Sequence, residues 1–235
     1  LDMHSNSYTI IFTSVVTIVL GGFLSVAAGT LKETQELNVK NDSKKNILAS
    51  LGYKPAVENT WSSDDITKLF EQNIDAYVLN SNGDRINTDP ASINTETDNE
   101  NFPIYVDKRG GTVNGYAIPI SGKGLWSTLY GYFAVDPDCI TAKGITFYAH
   151  KETPGLGGEV EKPWFQNNFI GKRFVDDAGN LVGIRVVKGK ADPNSQYEVD
   201  GISGATITSK GLEYFLVDDL KKYEPFFQKV RSGEA

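Results

Sequence analysis

Two regimes of hydrophobic patterning divide the chain. From Ser5 to Leu31 no charged residue occurs. Within it, Tyr8–Gly29 (YTIIFTSVVTIVLGGFLSVAAG) is apolar on all sides and would rise about 33 Å as a helix, enough to cross the hydrocarbon core of a bilayer. A lone segment in hydrocarbon must satisfy its own backbone, so the expected form is a transmembrane helix. Gly21-Gly22 suits packing against neighbouring membrane helices. A cleaved signal peptide is the competing reading, with Val26-Ala27-Ala28 as a passable cleavage site. The length of the run and the absence of a basic stretch before it favour a retained anchor. Residues 1–31 are therefore expected to be an anchor, and 32–235 a single domain of about 200 residues.

Beyond Lys32 the pattern becomes mixed. Asn41–Gly52 predicts a short helix capped by Asp42 or Ser43. Ser62-Ser63 ahead of DDITKLFEQN predicts a second, with acids in its first turn. Ile74–Leu79 predicts a strand that turns at Asn80–Gly83, and polar Asp84–Phe102 predicts a loop. Pro103–Asp107, Thr112–Ile120, Thr128–Val135, Ile140–His150 and Leu181–Val187 are β-rich runs punctuated by Gly and Pro. They predict a twisted, mainly antiparallel sheet. Pro163–Phe169 predicts a short aromatic helix. Leu212, Phe215, Leu216, Leu220 and Tyr223 recur at helical period, which predicts a helix from Thr206 that stops before Pro225. The expected class is α+β, a mainly antiparallel sheet flanked by helices behind one membrane helix.

Composition narrows the chemistry. With 23 Lys+Arg against 30 Asp+Glu the net charge is −7, which argues against nucleic-acid binding. One Cys and two His supply neither an intrachain iron–sulfur cluster nor a structural zinc site. Cys139 has no partner for an internal disulfide. His150 has no second His in the folded part and no nucleophile motif beside it, and the acids show no pattern for general acid–base work. No catalytic residue and no metal site is expected.

Three short motifs stand out. Asp200-Gly201-Ile202-Ser203-Gly204-Ala205-Thr206-Ile207-Thr208-Ser209 places four hydroxyls at a helix start, where free N–H groups and the positive dipole end suit a phosphate. Lys210 lies one turn further in. An ordinary Ser/Thr cap after a glycine turn explains the same residues. Thr153-Pro154-Gly155-Leu156-Gly157-Gly158 follows a strand and exposes backbone N–H groups and one apolar side chain, which suits a flat heteroaromatic ring. A plain connecting loop explains it equally. Gly124-Leu125-Trp126-Ser127 sets an aromatic beside glycine, either lining a cleft or sitting at a core edge.

Taken together, these motifs resemble a known family. DGISGAT is similar to the Asp-x-x-Ser/Thr-Gly-Ala-Thr motif of proteins that carry FMN through a phosphoester to threonine. HKETPGLGGEVEKPWF resembles the flavin-contacting loop of the same group. GKGLWSTLYGYFAVD, and DPNSQYEVDGISGATITSKG as a whole, resemble the NqrC subunits of the Na+-translocating NADH:quinone reductases. The threonine-flavin G component of Rnf electron-transport complexes is a more distant likeness. A membrane-tethered, cofactor-free binding module is the rival from another class.

The NqrC resemblance implies an FMN-binding domain over 32–235 with the attachment motif at 200–206. FMN would be esterified to Thr206. Ser203, Gly204, Ala205, Thr208 and Lys210 would surround the phosphate, and Leu125, Trp126, Thr153, Leu156 and Gly157 would line the ring. It also implies an electron carrier that works only inside a Na+-pumping, NADH-oxidising, quinone-reducing complex. Its electrons would come from an iron–sulfur centre among membrane subunits and pass to a threonine-linked FMN on a second flavin-carrying subunit. A separate flavin transferase would install the cofactor. The family places the domain on the outer face of the bacterial inner membrane. Lys32, Lys40, Lys44 and Lys45, read by the positive-inside rule, point to the opposite side.

Overall fold

The structure, a computed structural model, describes residues 5–55 and 60–234. It divides into two compact units, Leu1–Asp42 and Ser43–Ala235. The first unit is helical throughout its described residues apart from Ser5. Among its described residues Ile10, Phe12, Ile18, Phe23 and Leu24 lie exposed. The helix to which it belongs, α1 (Asn6–Ser50), is long and apolar enough to cross a membrane. Contrary to the expected separate helix at 41–52, α1 is unbroken. The stretch Lys32–Asn41 holds no Gly or Pro, and Lys32 and Glu36 pair across one turn.

The second unit is built on a six-stranded antiparallel sheet. Its strands are β1 (Ile74–Asn80), β2 (Arg85–Ile86), β3 (Asn101–Asp107), β4 (Gly115–Lys123), β5 (Thr128–Val135) and β6 (Ala142–Ala149), in the order β2-β1-β3-β4-β5-β6. Pairing runs Ile118↔Phe133 and Lys123↔Thr128 in β4–β5, and Phe133↔Ile145 in β5–β6. Alternation then sends Ile118, Ile120, Phe133, Ile145 and Phe147 to one face and Ala117, Tyr132 and Ala134 to the other. The second face is covered by Ile47 and Leu51 together with Phe70 of α2 (Ser63–Asn73). As predicted, α2 is capped by Ser62, which accepts from Asp65 N at 3.0 Å.

The first face is covered by α4 (Thr206–Ser232), reached through the short helix α3 (Pro163–Gln166) and a separate parallel pair, β7 (Arg185–Val186) with β8 (Glu198–Val199). The run Leu181–Val187 thus contributes only β7, outside the main sheet. The loop expected over Asp84–Phe102 contains β2 and the start of β3. Contrary to a further expectation, α4 does not stop before Pro225. Proline costs an internal helix about 3 kcal/mol. Here Tyr223, Phe226 and Phe227 are buried around it. Burying those three rings offsets the cost.

Candidate functional site

The loop after β4, Gly124–Ser127, and the exit of β6 at Ala149 lie at the same end of the sheet, because β4, β5 and β6 are paired in register. Helix α4 starts at that end too. Its Gly211 sits so close to β4 that an added Cβ would come within 2.1 Å of the Lys123 carbonyl oxygen. Phe215 fills the space that a side chain at Gly122 would need. Glycine at both positions is what allows helix and strand to approach. The three motifs, spread over some 80 residues of sequence, therefore converge.

What joins them is a buried acid, Glu152. Glu152 is 5% exposed. Its Oε1 accepts from the backbone N–H of Trp126 at 2.9 Å and of Ser127 at 3.0 Å. Its Oε2 accepts from Thr208 Oγ1 at 2.7 Å and from Leu125 N at 3.3 Å. Burial alone would push this carboxyl up. The bonds from Thr208, Trp126, Ser127 and Leu125 together outweigh burial and hold it below the usual glutamate range. The glycines at 124 and 157 press against the same group, with added Cβ atoms falling 2.7 Å from Oε1 and 2.5 Å from Oε2. Flanked by His150 and Lys151, Glu152 reads in sequence as part of a solvated charge run; only tertiary structure shows that it is buried. His150 Nδ1 accepts from the Glu152 N–H at 3.2 Å, and its Nε2 lies 3.5 Å from Glu161 Oε2.

The other expected site residues fall around this centre. Leu125, Trp126 and Leu156 are exposed, as is Ile207, which the sequence reading did not single out. At 68% exposure Trp126 is no core-edge residue. A cavity of about 470 Å³ opens beside it, lined by Ser127, Thr128, Tyr130, Ala149, His150 and Lys151. Leu156 lies over Gly204, whose φ of +73° needs glycine and whose Cβ would meet Leu156 Cδ2 at 2.7 Å. The Thr153 carbonyl accepts from the N–H groups of Leu156 and Gly158, which shapes that loop, and Gly157 is buried. Ser203 is exposed and Ala205 buried. Lys210 turns to Glu213 at 2.9 Å, and Glu213 in turn accepts from Val186 N. Glu213 thereby links α4 to β7, and Lys210 pairs with it at the surface.

Thr206 is the first residue of α4 and is exposed. Ala205 precedes it and no side chain caps the helix, so the alternative reading as an ordinary Ser/Thr cap is not what the structure displays. The helix start has N–H donors without intrahelical partners and the positive end of its dipole. Ser209 Oγ, buried a turn further on, has no hydrogen-bond partner in the protein. Asp200 closes the loop leading to this turn, accepting from Lys190 Nζ at 2.6 Å and Ala191 N at 2.9 Å. An exposed hydroxyl at an uncapped helix start, with apolar side chains close by in sequence and space, fits a phosphate-bearing planar ring. Among the described residues no group of three or more His, Cys, Asp or Glu could hold a metal.

These features define a class that comparison with known proteins also finds: the model of the FMN-binding domain matches residues 124–218, a span that takes in all three motifs. The chain is 34% identical to the NqrC subunit of the Na+-translocating NADH-quinone reductase of Yersinia pestis, over 96% of this chain and 93% of that one. It is also 34% identical to the Pseudomonas aeruginosa NqrC, over 100% and 99%. Among solved structures, the same subunit from Parabacteroides distasonis superposes with a TM-score of 0.74 at 34% identity, covering 84% of this chain and 96% of that one. NqrC of Shewanella oneidensis gives 0.70 at 26% identity, covering 83% and 99%. The chain belongs to the NqrC family of the Na+-translocating NADH-quinone reductases, components of an oxidoreductase complex, and carries its FMN-binding domain.

Proposed function

We propose that this chain is the membrane-anchored electron carrier of its complex, with FMN joined by a phosphoester to Thr206 Oγ. The observation that carries the reading is the position of Thr206: an exposed hydroxyl on the first residue of an uncapped helix, where the three loops meet. Bound there, FMN supplies reversible electron acceptance and donation. The protein's part is to hold and surround it. The free N–H groups of the α4 start offset the single negative charge of the phosphodiester. Leu125, Trp126, Leu156 and Ile207 offer apolar surface to the ring, while Ser203 and Gly204 leave the backbone open beside the phosphate. Covalent linkage keeps a carrier with so open a site from losing its cofactor.

A threonine hydroxyl is a weak nucleophile, so installation calls for a separate flavin transferase acting with Mg2+. In that step Thr206 Oγ attacks the flavin-side phosphorus of FAD, loses its proton, and AMP departs. In the assembled complex the chain takes electrons from an iron–sulfur centre among the membrane subunits and passes them to a second FMN-carrying subunit. The anchor is the apolar part of α1, and the domain lies on the outer face of the bacterial inner membrane. The test is co-expression with a flavin transferase followed by denaturing electrophoresis. Wild-type chain gives a fluorescent yellow band and Thr206→Val gives none. A fluorescent band from the valine variant contradicts the attachment site.

A further inference from the structure

We propose that Glu152 is a positioning residue for the flavin, tying the Gly124–Ser127 loop to the first turn of α4 and so fixing the loop's apolar side chains relative to Thr206. The inference rests on the attachment of FMN to Thr206. Two oxygens of one carboxylate serve two elements: Oε1 takes two N–H groups of the loop, and Oε2 takes a third along with the Thr208 hydroxyl. Thr208 lies two residues beyond Thr206 and 56 residues from Glu152. Its hydroxyl is the hydrogen bond by which the buried acid holds the helix start. The loop it holds carries Leu125 and Trp126, both exposed, so the anchored backbone fixes side chains whose own packing does not. Gly124 and Gly157 let both loops close onto the carboxylate, where any Cβ would intrude.

The pattern of bonds makes charge and length both matter. Asp at 152 is one methylene short. Gln keeps Oε1 for Trp126 and Ser127, but sets an amide donor against the Leu125 N–H. Thr208→Val removes one hydroxyl at nearly constant shape, and Thr208→Ser restores it.

The experiment uses the full-length chain, flavin-loaded in detergent, as wild type, Thr208→Val, Thr208→Ser and Glu152→Gln. Mass spectrometry first establishes flavin on Thr206. Visible circular dichroism and the fluorescence anisotropy of the attached flavin then report how firmly the ring is held, and thermal melts report the fold separately. Expected are variants still flavinylated, with the visible dichroism of Thr208→Val and Glu152→Gln falling to about half or less of the wild-type amplitude and anisotropy falling with it. Thr208→Ser keeps wild-type values. If dichroism and anisotropy stay at wild-type values while only melting temperatures drop, Glu152 is merely structural and the proposal fails alone. If the wild type carries its flavin elsewhere or not at all, the attachment reading fails and takes this one with it.

Discussion

Over its first two turns α4 carries Thr206, Ile207, Thr208, Ser209, Lys210 and Gly211; near its other end it carries Tyr223, Phe226 and Phe227. The first set is hydroxyl-rich and half exposed, held to the sheet through one distant carboxylate and through glycine contacts. The second is aromatic and buried, with the Tyr223 hydroxyl donating to the Pro103 carbonyl at 2.8 Å and Phe227 stacked on Tyr223 and tilted against Phe174. One end is shaped to present a group to the outside, and the other fixes the helix on the sheet. The comparison shows why a proline is tolerated near the anchored end, where burial is ample, and why the presenting end depends on so few contacts.

Substitutions can break this contrast. The largest effect on chemistry with least effect on fold belongs to Thr206→Val. Covalent flavin is lost entirely, while stability in a thermal melt stays within about 0.5 kcal/mol, because the side chain is exposed and caps nothing. Phe227→Ala is its mirror image. This fully buried ring costs about 3–5 kcal/mol in denaturant unfolding, and whatever protein still folds retains its flavin. Gly211→Ala falls between them. Its Cβ meets the Lys123 carbonyl oxygen at 2.1 Å, so helix and strand must part, at about 1–3 kcal/mol and with weakened flavin dichroism.

The smallest effect is a difference in pH response between the two buried carboxylates of α4's surroundings. Glu152, with four donors, titrates below the usual range, so its contribution is present at neutral pH and is lost as pH falls through its folded value, below about 4.3. Asp219 goes the other way. Burial raises it, and the bonds from Lys222 and Ser121 only partly compensate. Its contribution is full in acid and is lost as pH rises through its raised value. In melts scanned from pH 3 upward, Glu152→Gln should flatten the acid side of the profile and Asp219→Asn should steepen it.

Much of this was legible in sequence because local rules decided it. The period of Leu212, Phe215, Leu216, Leu220 and Tyr223 gives the buried face of α4, and Thr206 is where the helix begins. The paired strands 128–135 and 142–149 follow their β-rich runs closely. The misses come from tertiary terms. Pro225 ends a helix unless surrounding aromatics hold it. Lys32–Asn41 has no local signal to break α1. The fragment Arg185–Val186 pairs with a strand that a turn-rich stretch concealed. Glu152 was invisible for the same reason: its partners lie 25 to 56 residues away, and charge in a Gly-rich loop looks like solvent-facing charge.

The Thr206 hydroxyl in the native assembly is the decisive group. Membranes containing the intact complex are digested with trypsin, and the peptide Ala191–Lys210 is sequenced by tandem mass spectrometry. The prediction is one FMN less one water on Thr206, with Ser203, Thr208 and Ser209 unmodified. The same peptide recovered wholly unmodified, or bearing the flavin on another residue, contradicts it.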